Sequence, residues 1–406
     1  MTSYETPLDI AELLDHILAF VDSDADPHSS DSLELSESWD RFRDLRACAL
    51  VTRSWAHAAQ ALLYSNIRVG MGKITGEVLL LLLRTLQESP HLAANVWRLE
   101  VLYVEPHVLK QLGSIPFPRL NNLYVIALYT ESNSDEVDAG ILGIQHLLQN
   151  PCLFSLRIYC QFPRLEDYVR VWDGCSGSIT DLAYSSRHNA APELENPPQV
   201  QNPLQVDASR GIKLDFFAVV DYVQSRLWLQ PFFPFDLSAL KAFQLHGPMD
   251  EQLSDLLTAT LQTIEVFSLT PSHRADGIIP DLPRMSQIEL TICFPYNTDF
   301  DFLRTIRARN RDKLRAIELN LDRSRESELV DRRTRTQALA THLSKIQQDF
   351  PNIQIVSIHL PLPRYSNSLY SSEKEEWEKF LEGLDFPFTL RWGFARKQVP
   401  WHTKLA

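Results

Sequence analysis

A six-residue word of the form L-x-x-L-x-L, returning eight times, constrains this chain more than any other feature. The copies are Val96-Trp97-Arg98-Leu99-Glu100-Val101, Leu120-Asn121-Asn122-Leu123-Tyr124-Val125, Leu153-Phe154-Ser155-Leu156-Arg157-Ile158 and Leu240-Lys241-Ala242-Phe243-Gln244-Leu245. Four more follow: Ile264-Glu265-Val266-Phe267-Ser268-Leu269, Met285-Ser286-Gln287-Ile288-Glu289-Leu290, Leu314-Arg315-Ala316-Ile317-Glu318-Leu319 and Ile353-Gln354-Ile355-Val356-Ser357-Ile358. Alternation at the end of each word marks a strand with one buried face. Most adjacent copies lie about 20 to 40 residues apart, the range of structural repeats. Prolines precede several copies (Pro116-Phe117-Pro118, Pro280-Asp281-Leu282-Pro283, Phe350-Pro351), as expected where a helix must stop before a strand.

These words resemble leucine-rich repeats, in which a strand and a helical or irregular return make one coil. The resemblance implies an α/β fold: an irregular solenoid over residues 71–400 with a mainly parallel sheet. Its core would take the leucine positions, and its concave face the intervening ones. On that face Glu100, Arg157, Gln244, Ser268, Glu289, Glu318 and Ser357 should project from one side of the sheet as a substrate-binding surface. The asparagine that often closes such repeats is mostly missing, and the spacing is irregular. A generic α/β domain with alternating strands and helices is the alternative.

Residues 1–70 have a different pattern. Ile10, Leu13, Leu14, Ile17, Leu18 and Val21 fall on one face of a helix. Helical words resume at Asp44–Trp55, and Trp55, Ala58, Ala59, Leu62 and Leu63 close a third short helix. So small a unit cannot bury that much apolar surface within itself. The words Glu12-Leu13-Leu14-Asp15-His16-Ile17-Leu18 and Leu45-Arg46-Ala47-Cys48-Ala49-Leu50-Val51-Thr52-Arg53-Ser54-Trp55, then Leu63-Tyr64-Ser65-Asn66-Ile67, resemble an F-box of the fungal type. That module binds the adaptor of cullin-type ubiquitin ligases. Two departures stand out: Asp9-Ile10 replaces the usual Leu-Pro pair, and the first connection is long. The resemblance implies that Leu13, Leu14, Ile17, Leu45, Leu50, Val51 and Trp55 contact the adaptor or hold its contact surface. An ordinary helical hairpin packed on the rest of the chain is the alternative.

Between the first two helical words, residues 22–40 hold seven acidic residues and six serines with no lysine or arginine. Such a stretch reads as a mobile acidic insert, because it has little apolar area to offset its ordering entropy. The aliphatic helix from Glu77 to Gln87 should be buried, with Pro90 ending it. Residues 190–210, rich in proline and amides, read as a long surface loop. The aromatic residues of 211–235 read mainly as core.

Composition narrows the function classes. The net charge of −13 argues against general nucleic-acid binding. Five cysteines without C-x-x-C spacing suggest reduced thiols rather than a zinc site. The N-terminus lacks the basic and then apolar pattern of a secretory signal, and the run Val78–Leu83 is too short to cross a bilayer. A cytoplasmic or nuclear protein is expected, with no membrane partner.

Catalytic motifs are weak throughout. Around Gly72-Lys73 the P-loop fails, since Ile67 stands where its first glycine belongs and Ile74 where Ser or Thr belongs. Neither H-E-x-x-H nor G-x-S-x-G occurs. From Arg304 to Arg335 eleven basic residues face six acidic ones; this reads as a solvated helical face, or as a dock for an acidic or phosphorylated partner. The expectation is an adaptor, with no enzymatic activity and no cofactor: an F-box binding a Skp-type adaptor and through it a cullin, and a repeat region capturing a protein substrate. The alternative is a non-catalytic interaction scaffold with no ligase role.

Overall fold

The computed structural model describes residues 45–48, 50–51, 53–70, 76–129, 133–186, 211–220, 228, 233–247, 251–271, 280, 282–293, 312, 314–322, 340–341, 343–346, 348–360, 379 and 389–394. The fold is α/β with a mainly parallel sheet, and the chain divides into two compact units. The first holds residues 1–179 and 188–197, the second 180–187 and 198–406. The expected insert at 22–40, the loop at 190–210 and most of the basic run lie outside the described residues.

In the first unit, α1 (Arg53–Leu63) leads into β1 (Asn66–Gly70), followed by α2 (Gly76–Glu88) and the short α3 (Pro90–Ala93). Then come β2 (Arg98–Leu102), α4 (Pro106–Gly113), β3 (Asn122–Leu128), α5 (Ser134–Leu148), β4 (Ser155–Gln161) and α6 (Leu165–Arg170). Strands β1 to β4 pair parallel in sequence order. Register sets Ile67, Leu99, Leu123 and Leu156 in one row and Val69, Val101, Val125 and Ile158 in another, all buried. The first apolar position of each word (Val96, Leu120, Leu153) is also fully buried. Helices α4 and α5 add Val108, Leu109, Leu112, Ile141, Ile144 and Leu148 to that core.

Local signals account for the returns. Pro106 occupies the first turn of α4, where a missing N–H costs nothing. Asn133 caps α5 in a reciprocal capping box with Glu136. At Gly113 and Gly143 the two helices meet backbone to backbone, for a Cβ on Gly143 would collide with the Leu109 carbonyl and one on Gly113 with Gly143 itself.

The second unit runs β5 (Asp181–Ser186), β6 (Ile212–Lys213), β7 (Phe216–Val220), β8 (Phe235–Asp236), β9 (Ala242–Gly247), α7 (Glu251–Thr260) and β10 (Val266–Pro271). It continues with β11 (Gln287–Cys293), β12 (Ala316–Asp322), β13 (Ile355–Leu360) and β14 (Thr389–Phe394). All except β6 and β8, which form their own small parallel pair, again join in sequence order. A buried row crosses this sheet through Leu182, Phe217, Phe243, Phe267, Ile288, Ile317 and Val356. Phe217, Phe243 and Phe267 stack rung on rung with centroids 5.8 and 5.9 Å apart. Trp228, Phe233 and Phe235 are buried with them, so the described aromatics of 228–235 serve the core.

One hydrogen-bond device recurs at the start of the strands. The Ser65 carbonyl accepts from the N–H groups of Trp97 and Arg98, Trp97 from Asn121 and Asn122, and Asn121 from Phe154 and Ser155. In the second unit Thr180, Asp215, Lys241, Glu265 and Arg315 each accept two consecutive N–H groups from the start of the strand that pairs next. Asn150 and Asn352 donate their side-chain amides to backbone carbonyls of the preceding return (Phe117 and Asp312), tying successive turns together.

Two expectations change. The boundary at residue 70 cuts through paired structure, because β1 hydrogen-bonds to β2 and buries Ile67 and Val69. Among the described side chains of α2, Leu83 and Leu86 are buried, whereas Val78, Leu80 and Leu81 are 54%, 51% and 63% exposed. Its all-round apolarity therefore does not mark an all-round buried helix. Gly70 ends β1 at φ 89°, and a side chain there would collide with the Leu102 carbonyl.

Candidate functional site

Two surfaces carry the expected site residues. The first lies near the N-terminus. Residues 45–48 are helical, and Leu45 is fully buried against Cys48, Trp55, Ala58, Leu62 and Leu63. Trp55 is half-buried, whereas Leu50 is 88% exposed and Val51 59%. Among the expected adaptor contacts, then, Leu45 and Trp55 sit in a small closed cluster, and Leu50 and Val51 present apolar side chains to solvent. Leu13, Leu14 and Ile17 lie outside the described residues.

The second surface is the sheet face opposite the apolar rows. Register places the seven expected positions in line within each unit. In the first, Arg68, Glu100, Tyr124 and Arg157 form one row. In the second, Ala183, Ala218, Gln244, Ser268, Glu289, Glu318, Ser357 and Arg391 form another. The expectation that all seven project freely needs correction at Glu100, Gln244 and Ser268, which are 6%, 8% and 3% exposed. The cause at Glu100 is the neighbours: Arg98 reaches its carboxylate at 2.6 Å and Arg68 at 3.3 Å. At Gln244 the side-chain amide meets the His246 ring at 2.6 Å. Arg157 and Ser357 are half-buried; for Glu289 and Glu318 only the strand position is described.

The first row holds two residues that the repeat pattern alone did not nominate, Arg68 and Tyr124, and Arg98 stands one pleat before it, between Asn66 and Asn122. Tyr124 occupies the same place in its word as Glu100 and Arg157, and Arg68 lies between Ile67 and Val69 as Glu100 lies between Leu99 and Val101. That equivalence was the signal available. Burial raises the Tyr124 phenol above its ordinary pKa, with Arg157 opposing, so the hydroxyl stays protonated as a donor. Burial lowers Arg157, and repulsion from Arg98 adds to it.

Burial pushes the Cys160 thiol far above its usual range and Cys175 up to about 12, which disfavours the reactive thiolate. Among the described residues no group of three or more His, Cys, Asp or Glu side chains could hold a metal ion. Nor, among them, is any helix long and apolar enough to cross a membrane. No protein-family model matches the chain, and no curated protein matches it.

Proposed function

We propose that the chain is the substrate-recognition subunit of a cullin-type ubiquitin ligase. The residues that precede β1 bind a Skp-type adaptor as an F-box-like unit of three helices. The strands that follow form an irregular leucine-rich-repeat-like solenoid that captures a protein substrate on its strand face. The protein holds two others near each other in the cytoplasm or nucleus and performs no bond chemistry.

The observation that carries this reading is the exposed Leu50–Val51 pair beside the closed Leu45–Trp55 cluster. Exposed large aliphatic side chains next to a small helical core suit a helical partner. In-register parallel pairing of strands in sequence order supports the repeat half. The scaffold alternative draws on the exposed apolar residues of α2, which also suit a partner unrelated to a ligase.

Substitution tests the adaptor face directly. Because Leu50 and Val51 are exposed, Leu50→Ala with Val51→Ala should leave the melting temperature nearly unchanged. Burying such a side chain contributes roughly 1.5–3 kcal/mol, so the double variant should lose adaptor capture by about a hundredfold or more in pull-down and titration. Undiminished capture by that variant would sink the F-box assignment. A chain that purifies as a monomer and never captures the adaptor would favour the scaffold.

A further inference from the structure

We propose that Arg157, Tyr124 and Arg98 form an anion-binding site that takes an acidic side chain from a protein segment laid across the strands of the first unit. The site deepens the preceding reading by naming the chemistry of the captured protein. It rests on that reading only in calling that protein a substrate.

Charge around the row is unbalanced. On β1 to β4 Arg68, Arg98 and Arg157 supply three guanidinium groups, and Glu100 is the one carboxylate of those four strands. Arg68 and Arg98 both lean on it. Arg157 lies two strands away, half-buried, with no carboxylate within ion-pair distance among the described residues. A guanidinium held partly out of water without a partner costs free energy, and the cost falls away when an anion arrives. Arg98 and Arg157 are close enough to repel, and the strand between them carries Tyr124 with its protonated hydroxyl. Neighbouring strands lie about 4.8 Å apart, so a carboxylate above Tyr124 can be reached by the phenol from below and by Arg157 in register on one side, while on the other side Arg98, one pleat earlier, holds the Glu100 carboxylate and offsets its charge.

A second observation stands at the end of the same strands. Tyr103, just past β2, has φ 55° and is 53% exposed. Left-handed backbone at a residue with a bulky side chain is unfavourable and concentrates at functional positions. The conformation is held by its own N–H donating to the Ile126 carbonyl at 3.0 Å. It leaves an aromatic ring in solvent, near enough to Tyr124 to act on its phenol. An acidic side chain in the arginine pair and a neighbouring apolar residue against Tyr103 together define a peptide.

The test titrates the full chain with a labelled, acetylated glutamate peptide and reads anisotropy. Saturable binding that weakens as salt rises is expected, and a lysine peptide of equal length should not bind. Arg157→Gln should weaken binding by about tenfold, the scale of losing one charge-assisted pair. Arg157→Lys, which keeps the charge but not the fork, should fall between. Tyr124→Phe should weaken binding by about threefold, the lower end for one hydrogen bond. Arg157→Gln should also melt no lower than the parent chain, which separates lost binding from lost structure. Tighter binding of a phosphoserine peptide through the same residues would support the site and make phosphate its preferred anion. Equal affinity in Arg157→Gln, no saturable binding at low salt, or equal affinity for a single-stranded oligonucleotide would overturn the proposal. Adaptor capture by the same proteins keeps the two readings apart: peptide binding without adaptor capture sinks the ligase reading alone, and the reverse sinks this site alone.

Discussion

His246 shows how far one residue's surroundings can outrun its sequence. Nothing in Gln244-Leu245-His246 distinguishes this histidine from the other eleven, yet β9 places it beside Gln244, where burial lowers its pKa to about 4. A neutral imidazole in the folded state and an ordinary one near 6.5 when unfolded give the sign. Below about pH 6.5 the unfolded chain takes up a proton that the folded chain refuses, so stability should fall between about pH 6.5 and 4 and level off below. His246 keeps some contact with solvent, which limits the effect to about 2 kcal/mol or less. The check is chemical denaturation across that range: His246→Gln should flatten the His-dependent part of the slope, and an unchanged slope would refute it. Arg157 teaches the same lesson at the other surface. Its place in the word was legible, because a strand alternates with period two, but the missing counter-ion depends on which strands lie beside it.

Among elements, legibility followed the contrast between faces. The eight L-x-x-L-x-L words became strands β2 to β4 and β9 to β13. β7 escaped because Phe216-Phe217-Ala218-Val219-Val220 is apolar on both sides and shows no alternation. β5 and β14 have only short apolar anchors, and β1 was absorbed into the N-terminal helical reading. Helix α2 failed the other way, since composition shows that a face is apolar but not whether anything covers it. The contact between α4 and α5 was equally invisible: Gly113 and Gly143 lie thirty residues apart in the sequence. Gly143→Ala should therefore destabilise the chain by about 1–3 kcal/mol, the usual cost of overpacking, and lower its melting temperature. Gly177→Ala is the matching control, for its Cβ would meet nothing within 4 Å. That change should be neutral or stabilise by about 0.4–1 kcal/mol. Equal melting temperatures for the two variants would mean that the helices separate easily at this point.

For the whole molecule, the decisive fact is that β1 belongs with the sheet. A chain starting at residue 71 should be less stable than one starting at residue 64 by about 3–5 kcal/mol, from the burial of Ile67 and Val69. Denaturant titration of the two truncations would show it, and coincident curves would restore a boundary at residue 70. The paired N–H groups that close on one carbonyl at the foot of the strands have a further consequence. They fix where the next strand begins without reference to how much chain has been spent returning to it. The residues between strands can therefore lengthen or shorten while the step across the sheet stays constant. A gene for such a protein can drift in the length of every return without asking the strands on either side to refold. The irregular spacing of the L-x-x-L-x-L words is the record such a history would leave.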